Sequence, residues 1–481
     1  MCADAAREVG MSDSKADADA VSEGEYLPDN HGLKRTLNLP QSTAIVTGGI
    51  IGVSIFLVPA AVADIAGHPI LALSIWLIAG VLSACAALSF AELGAAIPET
   101  GGTIVHLERA YGRVVSFFYG WMVLCGYGAA ALAVVAIMAS GYGLRLLPPD
   151  IAEKIDPKFM AMFFIALTAS VNILGIGRSA RLQFVLTIGK CLLIVILITL
   201  PFVMGSVDFS VFSRPAEPAL DMSGIASAIS NGLIITIFSY SGSHFVTQVA
   251  GEVKHPAKDI PRAILLGFGA VLALYLLLNL AFIIGIPFDV FRQSDAVAAD
   301  LMEAAVGPIG AYVVAGGIVL STLAVLNAQF LGYPRVAFAL ASEGLLPSWM
   351  AALHKTTRAP WVAVFVVALI SMAYISTGSY STILTSVGFV AHLFTTLAVA
   401  ALLVLRYKEP NLKRPYKVSL YPWTPLVFVI FSIVYLISLL INKPMESLIG
   451  IAIVASGFPV YLWRRGKGEP AGLPHEVATD L

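Results

Sequence analysis

Twelve apolar stretches follow one another along this chain, near residues 43–66, 69–96, 113–143, 158–174, 181–205, 223–249, 262–286, 308–334, 360–376, 381–405, 423–441 and 447–463. A helix rises 1.5 Å per residue, so about 20 apolar residues cross a hydrocarbon layer about 30 Å thick. No water reaches the backbone N–H and C=O groups inside that layer, and helices satisfy them within the segment. Repeated stretches of this length therefore predict an all-α integral membrane protein with one membrane domain. Composition agrees: hydrophobic residues make up 58% of the 481 and charged residues 12%, against about 25% charged in soluble domains. Mean hydropathy is +0.86. The net charge of -1 gives no basic surface for nucleic acid.

The first 40 residues are polar and rich in Ala, Asp and Ser, with no apolar stretch. They are expected to form a disordered cytoplasmic tail, and they read as neither a signal nor a transit peptide. Residues 465–481 are expected to form a second cytoplasmic tail. Cys85, Cys125 and Cys191 fall inside apolar stretches and Cys2 in the tail. No disulfide framework or disulfide-linked partner subunit is implied. Orientation follows from Lys and Arg. With the N-terminus inside, the inner loops and tails carry most of the 29 positive residues. The opposite loops hold only Arg145, Lys154, Lys158, Arg214, Arg292 and Lys443. Both termini are thus expected in the cytoplasm, with the protein in the plasma (inner) membrane.

Two of the stretches are interrupted. The first contains Thr47-Gly48-Gly49-Ile50-Ile51-Gly52-Val53-Ser54, and the sixth contains Phe238-Ser239-Tyr240-Ser241-Gly242-Ser243-His244. Unwinding a helix in lipid frees backbone groups at a cost of several kcal/mol each, so a break survives where those groups line a cavity or meet a ligand. Paired broken spans in the two halves of a chain point to a transporter's substrate site. Five spans separate the start of one half from the start of the other, which inverts the second half. The expected organisation is a transporter domain over 41–464. It comprises a first five-helix repeat (41–205), an inverted second repeat (223–405) and two further helices (423–463).

At this point the chain resembles the amino acid–polyamine–organocation superfamily, especially its L-type amino acid transporter-like branch. The resemblance covers about residues 40–440. It rests on Gly49-Ile50-Ile51-Gly52 with Ile55-Phe56, Ala91-Glu92-Leu93 with Pro98-Glu99-Thr100-Gly101-Gly102, and Gly251-Glu252-Val253-Lys254 running to Ile260-Pro261-Arg262-Ala263. Glu343-Gly344-Leu345-Leu346-Pro347 and Arg414-Pro415-Tyr416-Lys417 complete it. The resemblance implies a leucine-transporter-like fold with 12 transmembrane helices and a 5+5 inverted repeat. It also implies an amino acid or related amine as substrate. The substrate carboxylate is then expected on the amides of Ile51, Gly52, Val53 and Ser54, and the amine on carbonyls of both breaks. Phe238, Ser239, Ser241, Gly242 and Ser243 complete the expected binding set, with Phe238 as gate. Elementary electrostatics agrees, because a helix N-terminus offers free donors and partial positive charge while a C-terminus offers acceptors. The chain departs from the family where Gly52-Val53-Ser54 replaces a Gly-Ser-Gly triplet and where Ser243 stands in place of a large aromatic.

Lys190 is the one positive residue deep in an apolar stretch, where an ionisable group costs about 2.5–3.5 kcal/mol. It matches a lysine that occupies a sodium position in proton-coupled and exchanging relatives, within reach of span-one carbonyls and of Ser321 or Thr322. The alternative is snorkelling toward Arg181. His244 either titrates in a pH response or is a neutral helix histidine. Tyr275 and Asn279 share a face at i, i+4 and, like Asn327, are candidates to line the cavity. Glu92, Glu99, Glu252 and Glu343 read as solvated span ends or inter-loop salt bridges. Spans one, three, six, eight and ten carry no midplane acid apart from Asp64, near the outer end of span one, which favours a neutral substrate.

These features predict secondary active transport of neutral amino acids by alternating access. Coupling is by proton symport or amino-acid exchange and not by sodium, and no cofactor or metal is expected. Cationic amino acids or polyamines are the alternative substrates, and a non-transporting amino-acid sensor is the alternative function. An enzyme is not expected. Ser241 to His244 lack a Gly-x-Ser-x-Gly elbow, and neither a Walker pattern nor HExxH occurs.

Overall fold

The computed structural model describes residues 32–213, 221–378 and 380–465. Most of both expected tails, 1–31 and 466–481, lies outside the described residues. Helices start where short polar side chains can satisfy first-turn amides. The Asn38 side chain accepts from the Gln41 N–H, and the Gln41 side chain accepts from the Asn38 N–H in return. Asp221 caps Met222–Thr236, and His68 caps Pro69–Ala96. Helices stop at glycines with positive φ, as at Gly67 and Gly205.

Nine helices among the described residues are long and apolar enough to cross a membrane. The pair Leu39–Ile50 and Ser54–Ala66, bent by 43°, makes a tenth. Two further apolar helices, Pro157–Ile173 and Trp361–Thr377, are shorter. All twelve stretches are therefore helical, but two fall short of the length of the rest. The third is split at Gly126 into Arg113–Cys125 and Tyr127–Leu144. Phe159, Val185, Leu192, Val203 and Ile441 are exposed on the outside of the helical bundle, where a lipid chain replaces the packing partner of a soluble core.

Helix Leu39–Ile50 sits centrally, packed against Pro256–Gly285, Ile176–Met204 and Ile309–Ser342. Short segments fasten its entry. The amides of Thr36 and Leu37 both donate to the Glu252 carbonyl, and the Lys254 amide donates to the Leu37 carbonyl. Beside them, Glu252 forms a buried ion pair with Arg335 (2.6 Å), and Glu92 meets Arg406 at 2.6 Å and Arg414 at 3.5 Å. Glu92 also accepts from the Val418 amide. Glu92 and Glu252 are thus salt-bridged and buried rather than solvated, because two charges removed from water stay charged only when each finds a partner. Glu343 is different. Burial, together with a hydrogen bond to the Glu108 carboxylate, pushes its carboxyl up to about 9.

Candidate functional site

The first break begins where helix Leu39–Ile50 loses its hydrogen-bond ladder. Ile51 takes an extended conformation (ψ 97°), and the chain re-enters helix at Ser54. The carbonyls left over at such an end need other donors, and side chains of three neighbouring spans supply them. Lys190 Nζ donates to the Gly48 carbonyl (2.7 Å) and to the Ile51 carbonyl (2.5 Å). Ser321 Oγ donates to the same Ile51 carbonyl at 3.2 Å, and Tyr275 Oη lies 3.2 Å from the Ile50 carbonyl. Lys190 is fully buried, so snorkelling is excluded. Thr322 does not join the set, because its hydroxyl turns back to Ile318 and Val319 on its own helix.

Small residues make this approach possible. A Cβ on Gly48 would fall 2.0 Å from Gln183 Nε2 and 2.5 Å from Thr187 Oγ1. Both side chains donate to the Ala44 carbonyl. Ser179, Gln183, Thr187 and Lys190 therefore form one polar face along helix Ile176–Met204. On the far side of the break, helix Ser54–Ala66 starts with no side-chain cap. Within its first turn the Phe56 N–H donates to the Val53 carbonyl, and Gly52, Val53 and Ser54 are partly exposed.

The second break is less regular than two half-helices. Helix Met222–Thr236 tightens into a 3₁₀ turn over Ile237–Tyr240, extends at Ser241 (ψ 143°) and passes Gly242 at φ +130°. It resumes only as the four-residue helix Phe245–Gln248. Position 242 requires glycine twice over. Its φ is one that L side chains rarely adopt, and a Cβ there would lie 2.7 Å from the Gly49 carbonyl carbon and oxygen. The two breaks thus touch backbone to backbone. Tyr275 ties them further, since its hydroxyl lies 3.2 Å from both the Ile50 and the Ser239 carbonyls.

A cavity of about 90 Å³ opens from the second break, bordered by Phe238, Ser241, Gly242, Ser243 and His244. Most of its other walls come from the second, third, eighth, tenth and eleventh apolar stretches, and no Asp, Glu, Lys or Arg among the described residues lines it. Ile51, Gly52, Val53 and Ser54 lie outside its lining. Phe238 is 41% exposed and meets His392 and Tyr435 edge-on, with centroids 6.3 and 6.4 Å away. The His244 ring packs against Phe90 and Phe245.

All three candidates for lining the cavity, Tyr275, Asn279 and Asn327, are placed elsewhere, Tyr275 on the Ile50 and Ser239 carbonyls. Asn279 donates to the Tyr275 carbonyl and does not line the cavity. Asn327 binds Ser179, Gln183 and Asn172 in a polar cluster between helices. Sequence reasoning missed Gln183, Thr187 and His392. The first two carried a signal, since they share the i, i+4 face that leads to Lys190. His392 carried none beyond being a polar residue in an apolar stretch.

The model of the family described as amino acid permease matches residues 37–458. The chain belongs to the amino acid permease family. This permease is 31% identical to the large neutral amino acids transporter small subunit 2 of Mus musculus, over 94% of its own length and 84% of that protein. It is 30% identical to the serine/threonine exchanger SteT of Bacillus subtilis (strain 168), over 90% of its length and 97% of the relative. Its identity to the Asc-type amino acid transporter 1 of Mus musculus is 29%, over 90% and 82% of the two chains. These relatives are transporters, not enzymes. The permease is accordingly a multi-pass membrane protein of amino acid transport, and an amino acid is its small-molecule substrate.

Proposed function

We propose that this permease is a secondary active transporter of neutral amino acids that works by alternating access, with the twelve-helix, 5+5 inverted-repeat arrangement of the leucine transporter. The observation that carries the reading is the seat of Lys190 on the carbonyl end of the first break. An ammonium inside lipid costs about 2.5–3.5 kcal/mol. Two charge-assisted hydrogen bonds, at about 1.5–3 kcal/mol each, offset that cost. The ammonium fills the place where a metal cation would meet those carbonyls, so coupling is by proton symport or amino-acid exchange and not by sodium. The substrate carboxylate takes the open amides of Val53 and Ser54, and its amine the carbonyls beside Ser239 and Ser241. Phe238, half out of the packing, closes the gate. A cavity wall without carboxylates favours a neutral substrate over cationic amino acids or polyamines. The termini face the cytoplasm at the plasma membrane, and no disulfide-linked subunit is needed.

Uptake and counterflow of labelled amino acids in proteoliposomes, with and without sodium and pH gradients, test this. Lys190→Ala is expected to abolish flux while leaving membrane expression intact, and unchanged flux sinks the coupling role. Binding without counterflow in the unaltered protein would instead favour a sensor.

A further inference from the structure

Two residues that line the cavity at the second break, Thr103 and His392, each carry a buried polar side-chain atom that no described residue satisfies. His392, on helix Tyr380–Lys408, is 6% exposed, and its Nε2 is buried with no hydrogen-bond partner among the described residues. A buried polar atom left unmade costs about 1–3 kcal/mol, so such an atom on a residue that lines a cavity calls for a partner that arrives from outside. The ring's surroundings fix its orientation. Tyr435 stands at 4.6 Å between centroids, Phe428 at 6.1 Å and the gate residue Phe238 at 6.3 Å, holding the imidazole in an aromatic frame.

The neighbouring hydroxyls of the tenth stretch are already occupied. Thr395 donates to the Ala391 carbonyl and Thr396 to the His392 carbonyl. Much of the wall opposite is apolar, with Phe90, Met122 and Val123. A side chain entering from the second break therefore meets hydrocarbon and aromatic faces, the hydroxyls of Ser83, Thr103, Ser241 and Ser243, and, beside Phe238, an imidazole with one unsatisfied nitrogen. A hydroxyl both donates and accepts, so it satisfies Nε2 in either tautomer of the ring. The cavity of about 90 Å³ has room for several waters, each needing about 10–15 Å³, and so for a side chain of moderate size.

We propose that His392 is a specificity-determining residue of the transport site, which makes the permease favour neutral amino acids with hydroxyl-bearing side chains over their apolar isosteres. The inference rests on the transport site lying at the second break. It differs from that reading in what it predicts, because a site without this contact would still bind neutral amino acids but would rank them by apolar area alone.

The test compares isosteric pairs, threonine against valine and tyrosine against phenylalanine. Binding is read by thermal shift on purified protein, and uptake by competition in proteoliposomes. One hydrogen bond predicts that the hydroxylated member of the fitting pair is preferred about tenfold in affinity. His392→Phe keeps the ring and removes the nitrogen, and should bring that ratio to within about twofold of unity. His392→Gln retains a hydrogen-bonding group near the Nε2 position and should preserve most of the ratio, which separates recognition from a packing role. A ratio near unity in the unaltered protein, or a ratio that His392→Phe leaves in place, overturns the proposal. Absence of any flux alongside an intact binding ratio overturns the transport reading and leaves the role of His392 supported.

Discussion

The two breaks lie against each other, yet they are built in opposite ways. At the first, the freed carbonyls of Gly48, Ile50 and Ile51 are held by Lys190, Tyr275 and Ser321, each from a different helix. At the second, the chain unwinds into a cavity, and Phe238 and Ser241 remain exposed. One is a fastened frame and the other an open mouth. The difference teaches where motion is cheap. Displacing the first break breaks charge-assisted bonds in a medium that offers no replacement, whereas moving Phe238 costs only aromatic contacts of about 0.5–1.5 kcal/mol.

The sharpest way to break this comparison is at the frame. Lys190→Ala leaves the Gly48 carbonyl without its side-chain donor and the Ile51 carbonyl with Ser321 alone, and proteoliposome uptake is expected to fall to background. Gly242→Val should come next, because it sets a branched side chain against the Gly49 backbone at a φ such residues avoid. A lowered melting temperature in detergent, with uptake reduced at least about tenfold, is the expected result. Near-normal melting and uptake would show that the two breaks do not depend on their close approach. Tyr275→Phe removes a single hydroxyl that serves both breaks in turn. Uptake should drop about threefold to tenfold, in line with one net hydrogen bond, and wild-type kinetics would make the bridge dispensable. Phe238→Ala acts on the open side alone. It should raise KM several-fold with little change in melting temperature, whereas a large stability loss would place Phe238 in the frame instead.

Much of this frame is legible in the order of residues. The apolar stretches, the two interruptions and the isolated Lys190 are properties of the chain itself, and lipid leaves few ways to satisfy them. Lys190 is matched to span-one carbonyls by the family resemblance, and the cost of a buried ammonium in a bilayer agrees with it. Polar residues whose partners lie far away in sequence do not read through. Glu92 reads as a solvated span end or an inter-loop salt bridge, and it is the second, buried between Arg406 and Arg414, partners more than 300 residues on that the sequence does not name. Asn279 and Asn327 have the spacing of cavity residues and prove to be internal fasteners, since helical periodicity gives a face but not the neighbour that face meets.

By itself, then, the sequence determined that the chain is helical and membrane-embedded, where its spans break, and which charge lies deep inside. Hydrophobic length and the cost of free backbone groups in lipid are local quantities, countable along the chain. Only the tertiary structure decided that Gly242 rests on Gly49, that Tyr275 ties the two breaks together, and that the cavity opens beside His392 rather than at Gly52. Those outcomes depend on which helices come within about 3 Å of one another, and that is settled by packing between segments remote in sequence.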